Sequence, residues 1–517
     1  MKTRRDFLKD VGASVVAASV GSGLASDLGF STAFAQQGSE RLTFGALEPL
    51  VSLMQETAAG RLIPQVVERL RNGTPLRDIV AAAALANART FGGEDYIGFH
   101  TLMAIAPSYH MAQEMPEDRR ALPVLKVLHR NATRIQEQGG PRNEVLRPVQ
   151  PAEIPSGRVG GEVLRETVRR GGANFAEAER TYAAMAGTPE DALNNVLYEV
   201  QDTLDVHRVV MPYRAWDLMG IIGREQAHTL LRQSVRYCVR AENPNQVRYS
   251  ATVRATLPRI LDQHRLIGRE LGRRMINDRD LEELSMTLFR GTPEQAADAA
   301  GAALAEGIDP SIVSEAISLA ANQLVLRDNG RLVDGGPNKP IGSIHGDSIG
   351  VHGCDSANAW RNLSRAGNPR NKVVCLILGA WQVARDRAER GGDFLNWQPY
   401  PREEARLEVR SLTNDRLLPA LEDAIRNRSQ IRAAAITHRY LESGQPVRAA
   451  WDMMLRYAIS EDGALHHEKF YRTSVEEYQS VRAPFRNRYL IALARVTASG
   501  HGYAAPGHTD ACRLLGV

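Results

Sequence analysis

Apolar residues recur at helical spacing almost from end to end of this chain, and the period-two alternation of strands is nearly absent. Segments such as Leu76–Ala88, Gly98–Glu114, Leu122–Gln138, Leu193–Thr203, Glu225–Ala241, Ser311–Leu326, Lys372–Arg390, Leu417–Glu442, Val447–Ser460 and Lys469–Ser480 carry few internal breakers, which predicts an all-α protein. At 517 residues and 43% hydrophobic content the chain has the means to bury a large interior. Pro- and Gly-rich interruptions at 141–161, 328–342 and 391–402 read as long loops and as candidate subdomain edges.

The N-terminus departs from this texture. Lys2-Thr3-Arg4-Arg5-Asp6-Phe7-Leu8-Lys9 runs into an Ala/Gly-rich apolar stretch ending Ala33-Phe34-Ala35, which resembles a twin-arginine (Tat) export signal with a small-residue cleavage site. The resemblance implies recognition by the Tat translocon, removal of residues 1–35, and a periplasmic or secreted domain over 36–517. Gly and Ser interrupt that stretch, so no permanent membrane span is expected. Taking the signal's four basic and three acidic residues from the 64 and 60 of the whole chain leaves a net charge of +3. With its arginines scattered, such a surface gives no case for nucleic acid. Cys238, Cys354, Cys375 and Cys512 show no C-x-x-C spacing, so buried thiols are expected rather than a cysteine zinc site.

A helix-opening pattern repeats: Gly73-Thr74-Pro75, Gly187-Thr188-Pro189, Gly291-Thr292-Pro293 and, more loosely, Gly444-Gln445-Pro446. Thr can cap orphan N–H groups and Pro suits the first helical position, where its missing donor costs nothing. Histidines follow Asp at a spacing of five in Asp95/His100, Asp202/His207, Asp347/His352 and Asp462/His467. That spacing suits an Asp that caps a helix and a His one turn in, about 140° around the axis. The pattern predicts capped helical hairpins repeated around a His-lined pocket.

Neutral imidazoles on facing helices suit a transition metal, iron, copper or zinc, and they also suit proton transfer. The ligands expected here are His100, His207, His352 and His467. His345 is expected to shuttle protons, His352 to act at the reacting centre, and Asp355 to orient the His352 ring. His345 and His352 would share a face if helical, but Gly346, Gly350 and Gly353 argue against a continuous helix there and for close approach of another group. His466 points about 100° away from His467, toward solvent. His110 lies about 80° off the face of His100, an outer position. His129, His228, His264 and His438 read as structural, and the glycine-rich tail 500–510 as a surface segment able to fold over a cavity. Arg208 and Arg361 are candidate holders of an anionic substrate. H-E-x-x-H, paired Glu-x-x-His, P-loop and G-x-S-x-G motifs are all missing from the sequence.

The hairpins Gly73–Ile105 and Gly291–Leu326 resemble the helical hairpin of carboxymuconolactone-decarboxylase and AhpD-like proteins, without the redox cysteines of the peroxidase branch. The alternation of helices around His100, His207, His345/His352 and His466/His467 is similar to questin-oxidase-like proteins. That resemblance implies an all-α enzyme that oxygenates aromatic ketones with reduced nicotinamide. Together these readings predict an exported oxidoreductase acting on a small organic substrate. A metal-dependent hydrolase or lyase, and a non-catalytic periplasmic binding protein, stand as alternatives.

Overall fold

The computed structural model describes residues 41–185, 187–389 and 391–517; the twin-arginine segment and its cleavage site lie outside them. The protein is all-α, 71% helical, and among the described residues β-structure is limited to two isolated bridges, Arg274 to Ile308 and Glu461 to Ala504. No described helix is long and apolar enough to cross a membrane.

Twelve helices position the site and are numbered here in chain order: α1 Leu76–Phe91, α2 Tyr96–Glu114, α3 Leu122–Glu137, α4 Pro189–Val200, α5 Val206–Ile222, α6 Ala227–Ala241, α7 Pro310–Leu326, α8 Ile349–Ala366, α9 Pro369–Glu389, α10 Val447–Ser460, α11 His466–Ser480 and α12 Ala483–Gly500. Four of them close a cycle: α2 packs on α5, α5 on α8, α8 on α11, and α11 back on α2. The others form a jacket, with α1 and α3 against α2, α4 and α6 against α5, α7 and α9 against α8, and α10 and α12 against α11. This explains why α2 and α5 show weak amphipathicity. Buried on most sides, α2 and α5 are apolar nearly all round.

Local chemistry sets several boundaries differently from expectation. Thr188 and Thr292 do form capping boxes, with Asp191 and Gln295, but α1 opens at Pro75 and α10 at Pro446 without a side-chain cap. Of the four spaced aspartates only Asp95 caps the helix of its histidine, accepting from Gly98 N at 2.7 Å. Asp202 instead pairs with Arg165 and Arg169, Asp347 with Arg331 and Lys339, and Asp462 accepts from Ala464 N. The glycines of α8 do not break it. A Cβ at Gly350 would stand 2.9 Å from Val325 Cα, and one at Gly353 2.6 Å from Leu324 Cδ1, so they let α8 press against α7. His345 precedes this helix, which begins at Ile349, and does not share its face with His352. Cys238, Cys354 and Cys375 are buried as expected, Cys512 only partly, and all four are free thiols.

One buried ion pair ties the start of α11 to the jacket. Lys126 of α3 reaches Glu468 at 2.7 Å and donates to the carbonyls of Ala458 and Glu461 at 2.8 and 2.7 Å. Glu468 is fully buried, so losing Lys126 leaves an uncompensated charge inside. Lys126→Met is expected to destabilise by about 3–5 kcal/mol, and Lys126→Met with Glu468→Gln by clearly less. Urea unfolding of both variants checks this; equal or additive losses would contradict it.

Candidate functional site

Each helix of the inner cycle contributes one histidine of its first turns to a shared point: His100 on α2, His207 on α5, His352 on α8 and His466 on α11. The four rings meet. His100 Nε2 lies 3.2 Å from His207 Nε2, and His352 Nε2 lies 3.0 Å from His466 Nε2. Ring centroids around the circuit are 4.7 Å (His100–His207), 5.7 Å (His207–His352), 5.1 Å (His352–His466) and 5.3 Å (His466–His100). His207 is 13% exposed at its side chain, and the other three are buried.

The far nitrogens decide what the near ones can do. His100 Nδ1 is 2.6 Å from the Tyr96 carbonyl, and His466 Nδ1 is 3.1 Å from the carbonyls of Gly463 and Ala464. A carbonyl only accepts, so both rings carry their proton on Nδ1. His207 Nδ1 faces the Asp205 carboxylate at 3.5 Å, and that carboxylate also accepts from the Tyr237 hydroxyl. Although burial works to raise it, the Asp205 carboxyl is held well below its usual range by His207 and Tyr237. His100 and His466 therefore turn Nε2 lone pairs toward His207 and His352. In each pair an Nε2 acceptor stands at hydrogen-bonding distance from the ring it faces, a place for a shared proton or another cation.

The surroundings oppose further positive charge on His100 and His466. Burial first, then the charge of Lys469, then neighbouring imidazoles push His100 and His466 well below the ordinary histidine range. Four helix N-termini, each with partial positive charge, point at the same place. Lys469, one turn beyond His466 and 3% exposed, makes no hydrogen bond or ion pair with any described residue. Burial pushes its ammonium down to about 8, with Asp355 and Glu468 working the other way.

The backbone is bent to present His466. Ala464 and Leu465, just before it, have φ of +49° and +67°, a left-handed region costly for residues with a Cβ. This contradicts the solvent-facing orientation read from the sequence. His467, expected among the ligands, turns the other way and joins His345, ring centroids 6.2 Å apart. Its buried Nε2 has no hydrogen-bond partner and lies against Gly500, where a Cβ would come within 2.4 Å. Both nitrogens of His345 are engaged, Nε2 with the Asn338 carbonyl at 2.6 Å and Nδ1 with Ser499 Oγ at 2.8 Å. Asp355 accepts from Thr473 Oγ1 at 2.8 Å. His110 meets Asp217 at 2.8 Å, away from the four rings. Arg208 is buried with Glu242 and the Glu199 carbonyl. The tail ties back, Gly502 N and Tyr503 N donating to Glu461 and Ala505 N to the Ser460 carbonyl.

Sequence reasoning missed His466 and Lys469. The signal was present, since residues three apart share a helix face and both belong with His352 rather than with His467. As they stand, the rings form two close pairs, and among the described residues no group of three or more His, Cys, Asp or Glu is placed to hold a metal ion. Four imidazoles on one ion, with bonds of about 2.1 Å, would place neighbouring ring centroids about 5 Å apart, close to the circuit observed. Comparison of the chain with protein-family models, with curated proteins and with solved structures finds no match in any of the three.

The buried imidazoles make stability depend on pH in a definite direction. His100, His466 and His467 lie well below the ordinary value of 6.5 and His345 at about 4, in each case chiefly through burial. The unfolded chain binds these protons first, so the contribution is complete above pH 6.5 and drains away as the pH falls toward 4. The carboxyls of Glu199 and Asp355, pushed up by burial, work against it over part of that range. Metal-free protein is expected to lose stability between pH 6.5 and 5, at up to about 1.4 kcal/mol per pH unit for each linked ring. Urea unfolding at the two pH values measures this; stability that is flat or rises on acidification would contradict it.

Proposed function

We propose that this is an exported oxidoreductase in which His100, His207, His352 and His466 hold one transition-metal ion that acts on a small organic substrate. The observation that carries the reading is the meeting of four imidazoles in one buried circuit, with the Nε2 lone pairs of His100 and His466 turned into it and a second proton on those two rings disfavoured. Imidazole nitrogens with Nδ1 anchored to oxygen acceptors are oriented, basic metal ligands. In this reading the steps α1–α2, α4–α5, α7–α8 and α10–α11 are repeats of one helical hairpin, each delivering an imidazole at the start of its second helix. In the same reading the four rings line the pocket that receives the ion. The twin-arginine segment supports export through the Tat translocon to the periplasm or beyond, already folded and loaded.

When bound, such an ion supplies Lewis acidity and, if it is iron or copper, one-electron chemistry with oxygen. The chain's own groups do the rest. Tyr96, Gly463 and Ala464 carbonyls and Asp205 fix the rings. The helix starts favour an anionic atom at the centre. Lys469, near neutrality, holds or gives a proton to an oxygen of the substrate there.

Metal analysis of protein purified from its native compartment tests the proposal. About one equivalent of iron or copper is expected, lost in His466→Ala and kept in His467→Ala, where the neighbouring ring lies outside the circuit. Zinc would turn the reading toward a hydrolase or lyase using the same residues. Metal-free protein, or retention by His466→Ala, would leave a binding protein whose histidines merely pack.

A further inference from the structure

The helices that bring His207, His352 and His466 together part again further along. Between the later turns of α5, α8 and α11 lies a cleft of about 560 Å³, lined among others by Tyr213, Trp216, Arg361, Arg365, Arg472 and Glu476. That volume accommodates a one- or two-ring ligand.

Its charges do not cancel. Arg214 pairs with Asp217 at 3.1 Å and lies 3.5 Å from Glu476; Arg472 pairs with Glu476 and Arg361 with Glu477, both at 2.7 Å. Asp217 also meets His110 at 2.8 Å, and Glu476 accepts from the Tyr213 hydroxyl at 2.8 Å. Every carboxylate at the cleft thus has partners. Arg365 has no ion pair or hydrogen bond with any described residue, and burial together with the like charge of Arg361 holds its guanidinium below the ordinary range. The buried Nε of Arg361 has no hydrogen-bond partner either. One guanidinium is left over, at the edge of a space that also offers an indole and a phenol ring. Such a set recognises a carboxylate attached to a flat apolar body.

The cleft also shares its helices with three of the four imidazoles. Tyr213 and Arg472 lie six residues beyond His207 and His466, and Arg361 nine beyond His352, about 9–14 Å along the helices. Over that interval the helices carry buried polar groups, Arg214, Asp355, Lys469 and Thr473, rather than an apolar plug.

We propose that this cleft binds an aromatic carboxylate, the anion meeting Arg365 with help from Arg361 and the ring lying against Trp216 and Tyr213, and that it is where substrate docks. Its role as substrate site rests on the metal-centre reading above; its capacity to bind the anion does not.

Calorimetric titration of the natively purified protein with 2-naphthoate, 2-naphthamide and inorganic phosphate tests this. Naphthoate is expected to bind, naphthamide and phosphate at least about tenfold more weakly. Arg365→Gln is expected to weaken naphthoate at least about tenfold with metal content and melting temperature unchanged, and Arg365→Lys to restore part of the loss. Because Arg365 sits at the exposed rim, neither change threatens folding. No binding of naphthoate, equal binding of the amide or of phosphate, or an unaffected Arg365→Gln variant would overturn the proposal. Naphthoate binding in a protein that holds no metal would keep the anion site and sink the metal reading. Metal without naphthoate binding would do the reverse.

Discussion

Imidazole lone pairs fixed inward in a dry interior need a proton or another cation to face, and the organisation around the four rings follows from that constraint. His100 and His466 could supply the proton themselves by moving it from Nδ1 to Nε2. They cannot do so cheaply, because the Tyr96, Gly463 and Ala464 carbonyls accept only from Nδ1–H, and a buried carbonyl left without its donor costs about 1–3 kcal/mol. Nor is protonation easy, with burial, four helix N-termini and Lys469 all opposing more positive charge. At His100 and His466 the fold keeps the lone pairs and disfavours a second proton. On the proposed reading a metal ion answers both conditions, since its bonds to neutral imidazole outweigh the electrostatics that turn a proton away.

Holding such an arrangement takes structure elsewhere. The left-handed pair Ala464 and Leu465 persists before His466 because Lys126 clamps Glu468 and the carbonyls of Ala458 and Glu461 on either side of it. The tail adds to this, its amides at Gly502 and Tyr503 closing on Glu461. Backbone strain of this kind survives only where the surroundings over-determine it. The cleft among the arginines belongs to the same helices, so the first turns of α5, α8 and α11 serve the imidazoles and their later turns leave room for a ligand.

Much of this was legible in the sequence, and the exceptions have physical causes. The all-α class follows from apolar spacing, and His100, His207 and His352, expected together from their positions, stand with successive ring centroids 4.7 and 5.7 Å apart. His467 was preferred to His466 because five-residue spacing from Asp suggested a cap, yet Asp462 serves a turn and the helix begins at His466 itself. A strained left-handed residue leaves no mark in a pattern of apolar periods. The glycines of α8 pointed to close approach, which is right, but the approaching group is the backbone of α7 and the helix stays intact. Helix α12 escaped notice because it is buried from Tyr489 to Gly500, and a helix apolar on all sides loses the period that reveals amphipathic ones. Conversely, Leu417–Glu442 read as one helix and is two, broken where Arg428 takes a φ of +55°.

X-ray absorption at the metal edge of protein purified from its own compartment addresses the central claim most directly. Outer-shell scattering from three or four imidazoles around one ion, reduced in number by His352→Ala, is the result this account predicts. A first shell without histidine, or no metal absorption edge from the folded protein, would contradict it.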